Sequence, residues 1–431
     1  MKRNTQIILL TTLLFVFCLC LFAGCKVQKA DYFTYSEENL GVVGKLVQLM
    51  HGWIGNYGWT VVVFTVFLKI VMLPLDLWQR VSSKKTNLKM QKIQPLLQEI
   101  DKRYGANSQR ATEEKQKIYK KQGTSTLSMC LPMIISMAIF FVMFGGLRNY
   151  STYSSVTNFQ GLSGTYFDAY YAAVKADGGE EFEYLRGEIS ALLGSDAQGF
   201  DSDENFLRNN YTETNVNAYI TGINKLGDTY RQKDFSAYNT LALEKVGAYY
   251  ESSHESWLWL QNVWQPDTWA PIMPKYDDST NGFSSTVDMK AFGTDEGRAH
   301  YDAIRGAVLK NGARGSEGKW NGLMILPILS IGLSFLSIYV SQLMDRRTRK
   351  GEPKKAMDSQ QAAQNKVMMF MMPLMMAFFG FMYTGAFAIY MVSSYALSLL
   401  STVALSVPVD KLVQKSLGKM DEKGNKASYM R

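Results

Sequence analysis

The chain has 431 residues, a formal net charge of +8, 47% hydrophobic and 19% charged residues, averages that would suit an ordinary soluble protein. The charge is segregated, though: residues 4–25, 46–68, 122–147, 320–344 and 367–409 carry none. The last run is 43 residues long, enough for two spans at about 20 residues each. A single soluble core is therefore excluded, and a polytopic membrane protein is predicted.

The remaining charge sorts by location. Residues 80–121 hold 12 Lys/Arg against 4 Asp/Glu, residues 345–366 hold 7 against 3, and 408–431 hold 6 against 3. Basic residues beside span ends are retained in the cytoplasm, which puts these three segments inside. Residues 149–319 hold 14 Lys/Arg against 24 Asp/Glu. An even number of crossings from an outer N-terminus puts that long loop outside. Because the basic segments are short and flank spans, the composition also disfavours a direct nucleic-acid reader.

In chain order, Lys2 and Arg3 precede the apolar stretch Ile7–Phe22 and then Ala23-Gly24-Cys25, the pattern of a signal peptide with a small-residue cleavage site. Cys after Ala-Gly resembles the bacterial lipobox, with Phe22 where Leu is usual, so residues 1–24 are expected to be removed and Cys25 lipidated; an uncleaved signal anchor is the other reading. The other cysteines, Cys18, Cys20 and Cys130, form no disulfide framework or CxxC metal motif. Only three histidines, His51, His254 and His300, are present, so neither a metal site nor a cofactor is expected.

Residues 25–56 read as an external tether and an amphipathic helix. Val43, Leu46, Val47, Met50 and Ile54 share one side of 39–54, a face suited to lying on the outer membrane surface. Span 1 is expected at 57–78, a cytoplasmic helical hairpin at 79–126 with its turn at Tyr104–Asn107, and span 2 at 127–147. The external insert, 148–319, shows helical patterns near 164–176, 214–233 and 236–252 but no signature of its fold or role. Span 3 (320–344), a cytoplasmic loop (345–366), span 4 (367–383), span 5 (385–407) and a basic tail (408–431) complete the chain, with Tyr383-Thr384-Gly385 as the outer turn.

Polar groups inside the predicted spans are few. Apart from Asp76 near the cytoplasmic end of span 1, Lys69 is the one charged residue in the expected spans; it lies twelve residues past Tyr57, roughly 18 Å along a helix. Insertion of such a cation costs about 2.5–3.5 kcal/mol, so it should face protein or water. Thr65 and Asp76 share its helix face. Span 3 carries Ser330, Ser334, Ser337 and Ser341, and span 5 carries Tyr390, Ser394, Ser398 and Ser401, each at spacings of three or four. Two readings stand: a wet cavity shared by three polar stripes, or a snorkelling Lys69 beside small-residue packing faces. Seven methionines in 368–382 cover all sides of that helix, which suits lipid contact and packing.

Several motifs resemble the YidC/Oxa-type membrane protein insertases in their Gram-positive lipoprotein form: LKIVMLPL (68–75), KMQKIQPLLQEIDKRYG (89–105), CLPMIISMAIFF (130–141), SWLWLQNVWQPD (256–267), NKVMMFMMPLMMAFFGF (365–381) and GAFAIYMVSS (385–394). Lys69 stands where the family usually has Arg. Ser125-Thr126 replace an Asn-Pro, and Ser136 and Ala138 a Gln and a Pro. Residues 149–255 and 270–319 have no counterpart in the compact relatives. The resemblance implies an all-α integral membrane protein, a five-span helical core with a cytoplasmic hairpin and a soluble external insert. It also implies a groove open to the cytoplasm and lipid, into which polar segments of nascent membrane proteins are taken while their apolar spans pass into the bilayer. Lys69 would attract acidic residues of that segment, and Thr65 and Tyr390 match positions that touch substrates. The serines Ser334, Ser337, Ser341, Ser394 and Ser398 complete the candidate site. No phosphate-binding G-x-x-x-x-G-K-[ST] occurs, so a non-enzymatic chaperone is expected, in a bacterial plasma membrane, with the ribosome and the Sec translocon as further partners. The readings from other classes are a channel or transporter subunit using Lys69 as an anion site, and an anchored surface lipoprotein whose insert binds a ligand.

Overall fold

The computed structural model describes residues 30–33, 36–105, 108–121, 126–277, 287–311, 320–348 and 380–428. The signal segment with Cys25, the loop 349–366 and nearly all of the expected fourth span lie outside these residues. Helix dominates what is described; the strand content there is one parallel pairing of Ala30–Asp31 with Val287–Asp288.

A 3-10 turn, Glu37–Leu40, leads into α1 (Gly41–Ile54). Gly55, at φ 75°, ends α1 in a left-handed conformation that a side chain would resist, and its N–H closes on the His51 carbonyl at 2.8 Å. Asn56 then caps α2 (Tyr57–Tyr104) by accepting from Trp59 N–H. At 48 residues α2 is about 72 Å long, so one rod serves as span and as first hairpin arm, through Pro74 and Pro95. The second arm is α3 (Gln109–Lys121). Ile93, Leu97 and Ile118 pack between the arms, and Lys115 pairs with Asp101 at 2.7 Å.

The expected face of α1 is a correction in part. Gly44 and Val47 are buried against protein rather than lipid, because Val43 and Gly44 meet Gly146 so closely that a Cβ there would collide with Val43. The row left exposed is Val42, Leu49 and Trp53. A second difference concerns the helix after span 2. The element α4 (Thr126–Asp177) runs 52 residues without a break, past the expected boundary at Leu147, because no proline or left-handed residue interrupts 133–177. Its C-terminal half is the central post of the insert.

Around that post pack α5 (Gly179–Leu193), α6 (Phe206–Asn209), α7 (Glu213–Thr229), α8 (Ser236–Ser253), α9 (Lys290–Gly293) and α10 (Asp295–Asn311). Phe159, Phe167, Leu185, Ile189, Val216, Ile220, Val246 and Tyr301 form their shared core. The insert is thus a helical bundle, and the tether enters it: Tyr32 is fully buried there. Two spans complete the description, α11 (Ile325–Thr348) and α12 (Gly385–Ser428), the latter continuing beyond the expected end of span 5. Among the described residues, three helical stretches are long and apolar enough to cross a membrane, within α2, α11 and α12.

One loop, 255–267, gathers the starts of all three. Glu255 accepts from Tyr57 N–H at 3.2 Å and pairs with His51 at 2.9 Å. The Val263 and Gln265 carbonyls accept from Ala386 N–H and Gly385 N–H at 3.0 and 2.8 Å. Asp267, fully buried, accepts from Leu323 N–H at 2.8 Å, Leu326 N–H at 2.7 Å and the Trp259 indole at 3.3 Å. Asn321 Nδ2 donates to the carbonyls of Asn262, Gln265 and Pro266. The Tyr57 ring lies 4.3 Å from that of Trp264. The spans of α2, α11 and α12 therefore start at one level and run parallel. Replacing Asp267 by Ala orphans one buried and one partly buried backbone donor. It is expected to cost about 2–4 kcal/mol, read as a lower Tm in detergent, with Asp267→Asn losing less.

Two buried titratable groups in the insert oppose each other. Asp168 accepts from Leu207 N–H and Arg208 N–H, yet burial outweighs these donors and pushes its carboxyl up to about 7. Burial also pulls His300 down to about 4. Asp168 contributes stability that is present below its unfolded value near 4 and lost as pH rises to 7. His300 contributes stability that is present above 6.5 and lost as pH falls to 4. Each contribution changes by about 3 kcal/mol between pH 4 and 6.5, and over that window the two cancel. Relative to the parent, Asp168→Asn should make insert stability rise with pH in that window, and His300→Gln should make it fall. Hydrogen exchange of the α7 and α10 amides reads both; parallel profiles for all three proteins would show that neither group titrates.

Candidate functional site

Below the clasped end, α12 packs against both α2 and α11. The central contact is Lys69, whose Nζ donates to Ser398 Oγ at 2.8 Å. Thr65, one turn earlier, is buried and its hydroxyl donates to the Val61 carbonyl at 2.6 Å. Ser330 and Ser334 are buried in α11 and likewise return their hydroxyls to carbonyls of their own helix, Pro327 and Ile331. Ser401 and Thr402 do the same toward Leu397 and Ser398. Such back-bonding satisfies a hydroxyl without a partner helix.

The structure thus brings Lys69 and Ser398 together. It keeps Tyr390, Ser394 and Ser337 half-buried and leaves Ser341 exposed. Of the α11 stripe, the upper serines are packed and the lowest is open, so the stripe changes environment along its length.

Two contacts went unnoticed in the sequence. Arg80 Nη1 donates to Thr402 Oγ1 at 3.0 Å, and Lys84 is ion-paired with Asp410. With Lys69–Ser398 these make three rungs between α2 and α12, in the same order along both helices, as parallel helices require. Lys69, Arg80 and Lys84 fall within an arc of about 60° at 100° per residue. That arc was a readable signal; the identity of the partners on α12 was not. Other faces of both helices are apolar and exposed: Val63, Phe67 and Ile70 on α2, Leu400, Val403 and Val407 on α12, a surface suited to lipid. Among the described residues no group of three His, Cys, Asp or Glu side chains is arranged to hold a metal ion.

The family described as 60Kd inner membrane protein matches residues 49–174 and 235–411. The gap between the two stretches holds α5, α6 and α7, so the part of the insert outside the match is narrower than the sequence motifs alone implied. A protein of Caldanaerobacter subterraneus subsp. tengcongensis named membrane protein insertase YidC is 36% identical over 115 residues, 27% of this chain and 54% of that protein. Proteins of the same name from Endomicrobium trichonymphae and Chlorobium limicola are 37% and 36% identical over 94 and 100 residues, which are 22% and 23% of this chain and 17% and 16% of theirs. The matched stretch thus spans about half of the first relative and less than a fifth of the other two. No solved structure matches the chain. The family match takes in the end of α1, the described spans, the hairpin and the loop that clasps the span starts, and on that breadth the chain belongs to the 60Kd inner membrane protein family.

Proposed function

We propose that the chain is a membrane protein insertase. It takes the polar outer segment of a nascent membrane protein into a hydrophilic groove facing the cytoplasm, while the segment's apolar span passes along the lipid-covered faces of α2 and α12 into the bilayer. The observation that carries this reading is Lys69, a cation inside a span whose partner is the neutral hydroxyl of Ser398, beneath an outer end closed by loop 255–267. A cation held by a hydroxyl keeps its charge and exchanges readily for a carboxylate. The closed outer end argues against a pathway open to both sides. The process makes and breaks no covalent bond; burial of the substrate's span supplies the free energy, about 25 cal/mol per Å² removed from water. Tyr390, Ser337, Ser394 and Ser398 line the groove in this reading, with Thr65 and Ser334 packed above it and Ser341 at its open end. Nascent membrane proteins are the substrates, and the ribosome and the Sec translocon are the partners that deliver them.

The positive charge, rather than a planar fork of donors, is the requirement, since Lys already serves at this position. At an effective dielectric near 20 it is worth about 4 kcal/mol at 4 Å before desolvation. In a strain depleted of its own insertase, Lys69→Arg should insert acidic-tailed substrates as well as the parent, while Lys69→Ala and Lys69→Glu fail progressively. Protease protection of paired substrates differing only in outer charge measures this. Equal insertion of acidic and neutral substrates by Lys69→Ala would remove Lys69 from the mechanism.

The parallel starts of α2, α11 and α12 support five spans, with the chain returning to the outer end before Gly385, the N-terminus outside and the C-terminus in the cytoplasm. Cysteines placed at Ile100, Lys355 and Met420 should resist an impermeant thiol reagent on intact cells, and one at Tyr230 should react; labelling at Ile100 would overturn the orientation. In the same cells Cys25→Ala should leave a precursor longer by the 24 residues Met1–Gly24 if Cys25 is the lipid anchor, whereas a product of unchanged size would remove that anchor.

A further inference from the structure

The three rungs between α2 and α12 are chemically unequal. Lys84 meets a carboxylate, Asp410. Lys69 and Arg80 meet only hydroxyls, Ser398 and Thr402, and among the described residues neither has a carboxylate within ion-pair distance. Asp76 shares their helix face between them and is ion-paired to neither. A guanidinium has five donors in a fixed fork, and Arg80 shows one hydrogen bond among the described residues. Thr402, its partner, is nearly buried, so the guanidinium is held at the α2–α12 contact rather than extended into solvent. Two cations are therefore fixed on one face of α2 with hydroxyls, not carboxylates, as their direct partners.

We infer that Arg80 is a second carboxylate-binding position, acting with Lys69 to hold an acidic segment at two points. The inference rests on the insertase reading and adds a rule of spacing to it. Lys69 and Arg80 are eleven residues apart on one helix, about 17 Å along its axis. An extended chain covers that distance in about five residues at 3.3–3.6 Å each. A substrate segment with two carboxylates five residues apart engages both cations at once; one with adjacent carboxylates, or a single one, engages them in turn. Ser398 and Thr402 hold the cations in place until a segment arrives, and each hydroxyl then returns to its own helix, as Thr402 already does toward the Ser398 carbonyl. The Lys84–Asp410 pair beyond them is neutral overall, which confines the attraction to the two upper rungs.

The test uses full-length protein in proteoliposomes and four single-span substrates: outer segment neutral, one acid, two adjacent acids, and two acids five residues apart. Arg80→Gln is expected to lower insertion of the last substrate about tenfold, the weight of a hydrogen bond to a charged group. It should leave the neutral and one-acid substrates at the parent's level, and the neutral substrate thereby reports that the variant is folded. Arg80→Lys should restore insertion of the spaced substrate to within a few-fold of the parent. Equal loss on neutral and acidic substrates would make Arg80 only a fastener between α2 and α12. A loss independent of acid spacing, or no loss on any substrate, would likewise overturn the two-point rule while leaving the insertase reading intact. If the parent itself inserts none of the four, both readings fall together.

Discussion

A helix that starts at a membrane surface leaves its first backbone N–H groups without intrahelical partners, and lipid offers none. In this chain one loop answers that demand for three spans at once. The carboxylates of Glu255 and Asp267 and the carbonyls of Val263 and Gln265 supply acceptors at the starts of α2, α11 and α12. Glycines make the approach possible: a Cβ on Gly58 would strike Trp257, on Gly322 Asp267, and on Gly385 Leu260. Because the acceptors sit on one short loop, the three spans share a level, a direction and a closed end. Every later feature of the site inherits that alignment, including the matched order of the rungs on α2 and α12.

Closure at one end concentrates freedom at the other. Near the clasp the aromatic rings of Tyr57, Tyr150 and Trp264 pack together, and His51 ties α1 to Tyr150 at 2.6 Å. Farther along, contacts between α2 and α12 pass from packed apolar groups to single polar rungs. Polar rungs can exchange partners without opening a cavity, whereas an apolar contact cannot part without losing dispersion and exposing surface. The bundle is thus stiff at the clasped end and exchangeable farther along, where the proposed function has a polar segment enter. The insert reinforces the stiff end, since α4 runs unbroken from the spans into its core and the tether is buried there through Tyr32.

How much of this was legible in the sequence follows from which forces act locally. The uncharged runs, the basic hairpin and Lys69 were readable because bilayer thickness and charge cost act on a continuous stretch of chain. The helices near 214–233 and 236–252 were readable from periodicity and lie close to α7 and α8. The continuity of α4 was not, because a switch from apolar to polar residues marks a change of solvent and not a helix end. The lipid-facing side of α1 was misjudged because two apolar rows exist, and only Gly146 on α4 decides which one is covered. The serine stripes allowed two readings, cavity lining or packing face; Ser330 and Ser334 satisfy themselves on their own backbone, which spacing alone does not reveal. Asp267 is the largest omission: in the sequence it is one acid among the 24 of a long loop, and only the fold puts it under the start of α11.

The pairing of Lys69 and Arg80 with hydroxyls bears on why such a site can work in a low-dielectric setting. A buried cation opposite a carboxylate is expensive to separate, since breaking the pair leaves two uncompensated charges. A segment competing for it would have to displace a tethered acid with one of equal strength. A hydroxyl satisfies geometry but not charge, so replacing it with a substrate carboxylate strengthens the contact instead of merely exchanging it. The cost of keeping the cation unneutralised falls on the resting protein, and the partly exposed setting of Lys69 moderates it. On the proposed reading, when the substrate's apolar span leaves for lipid its acidic segment must also let go, and a single fixed cation of high affinity would oppose that release. Two positions of moderate strength, each with a hydroxyl waiting to take back its cation, allow stepwise departure. Affinity divided between two rungs therefore gives capture without trapping, a property that a single, stronger ion pair at Lys69 would lack.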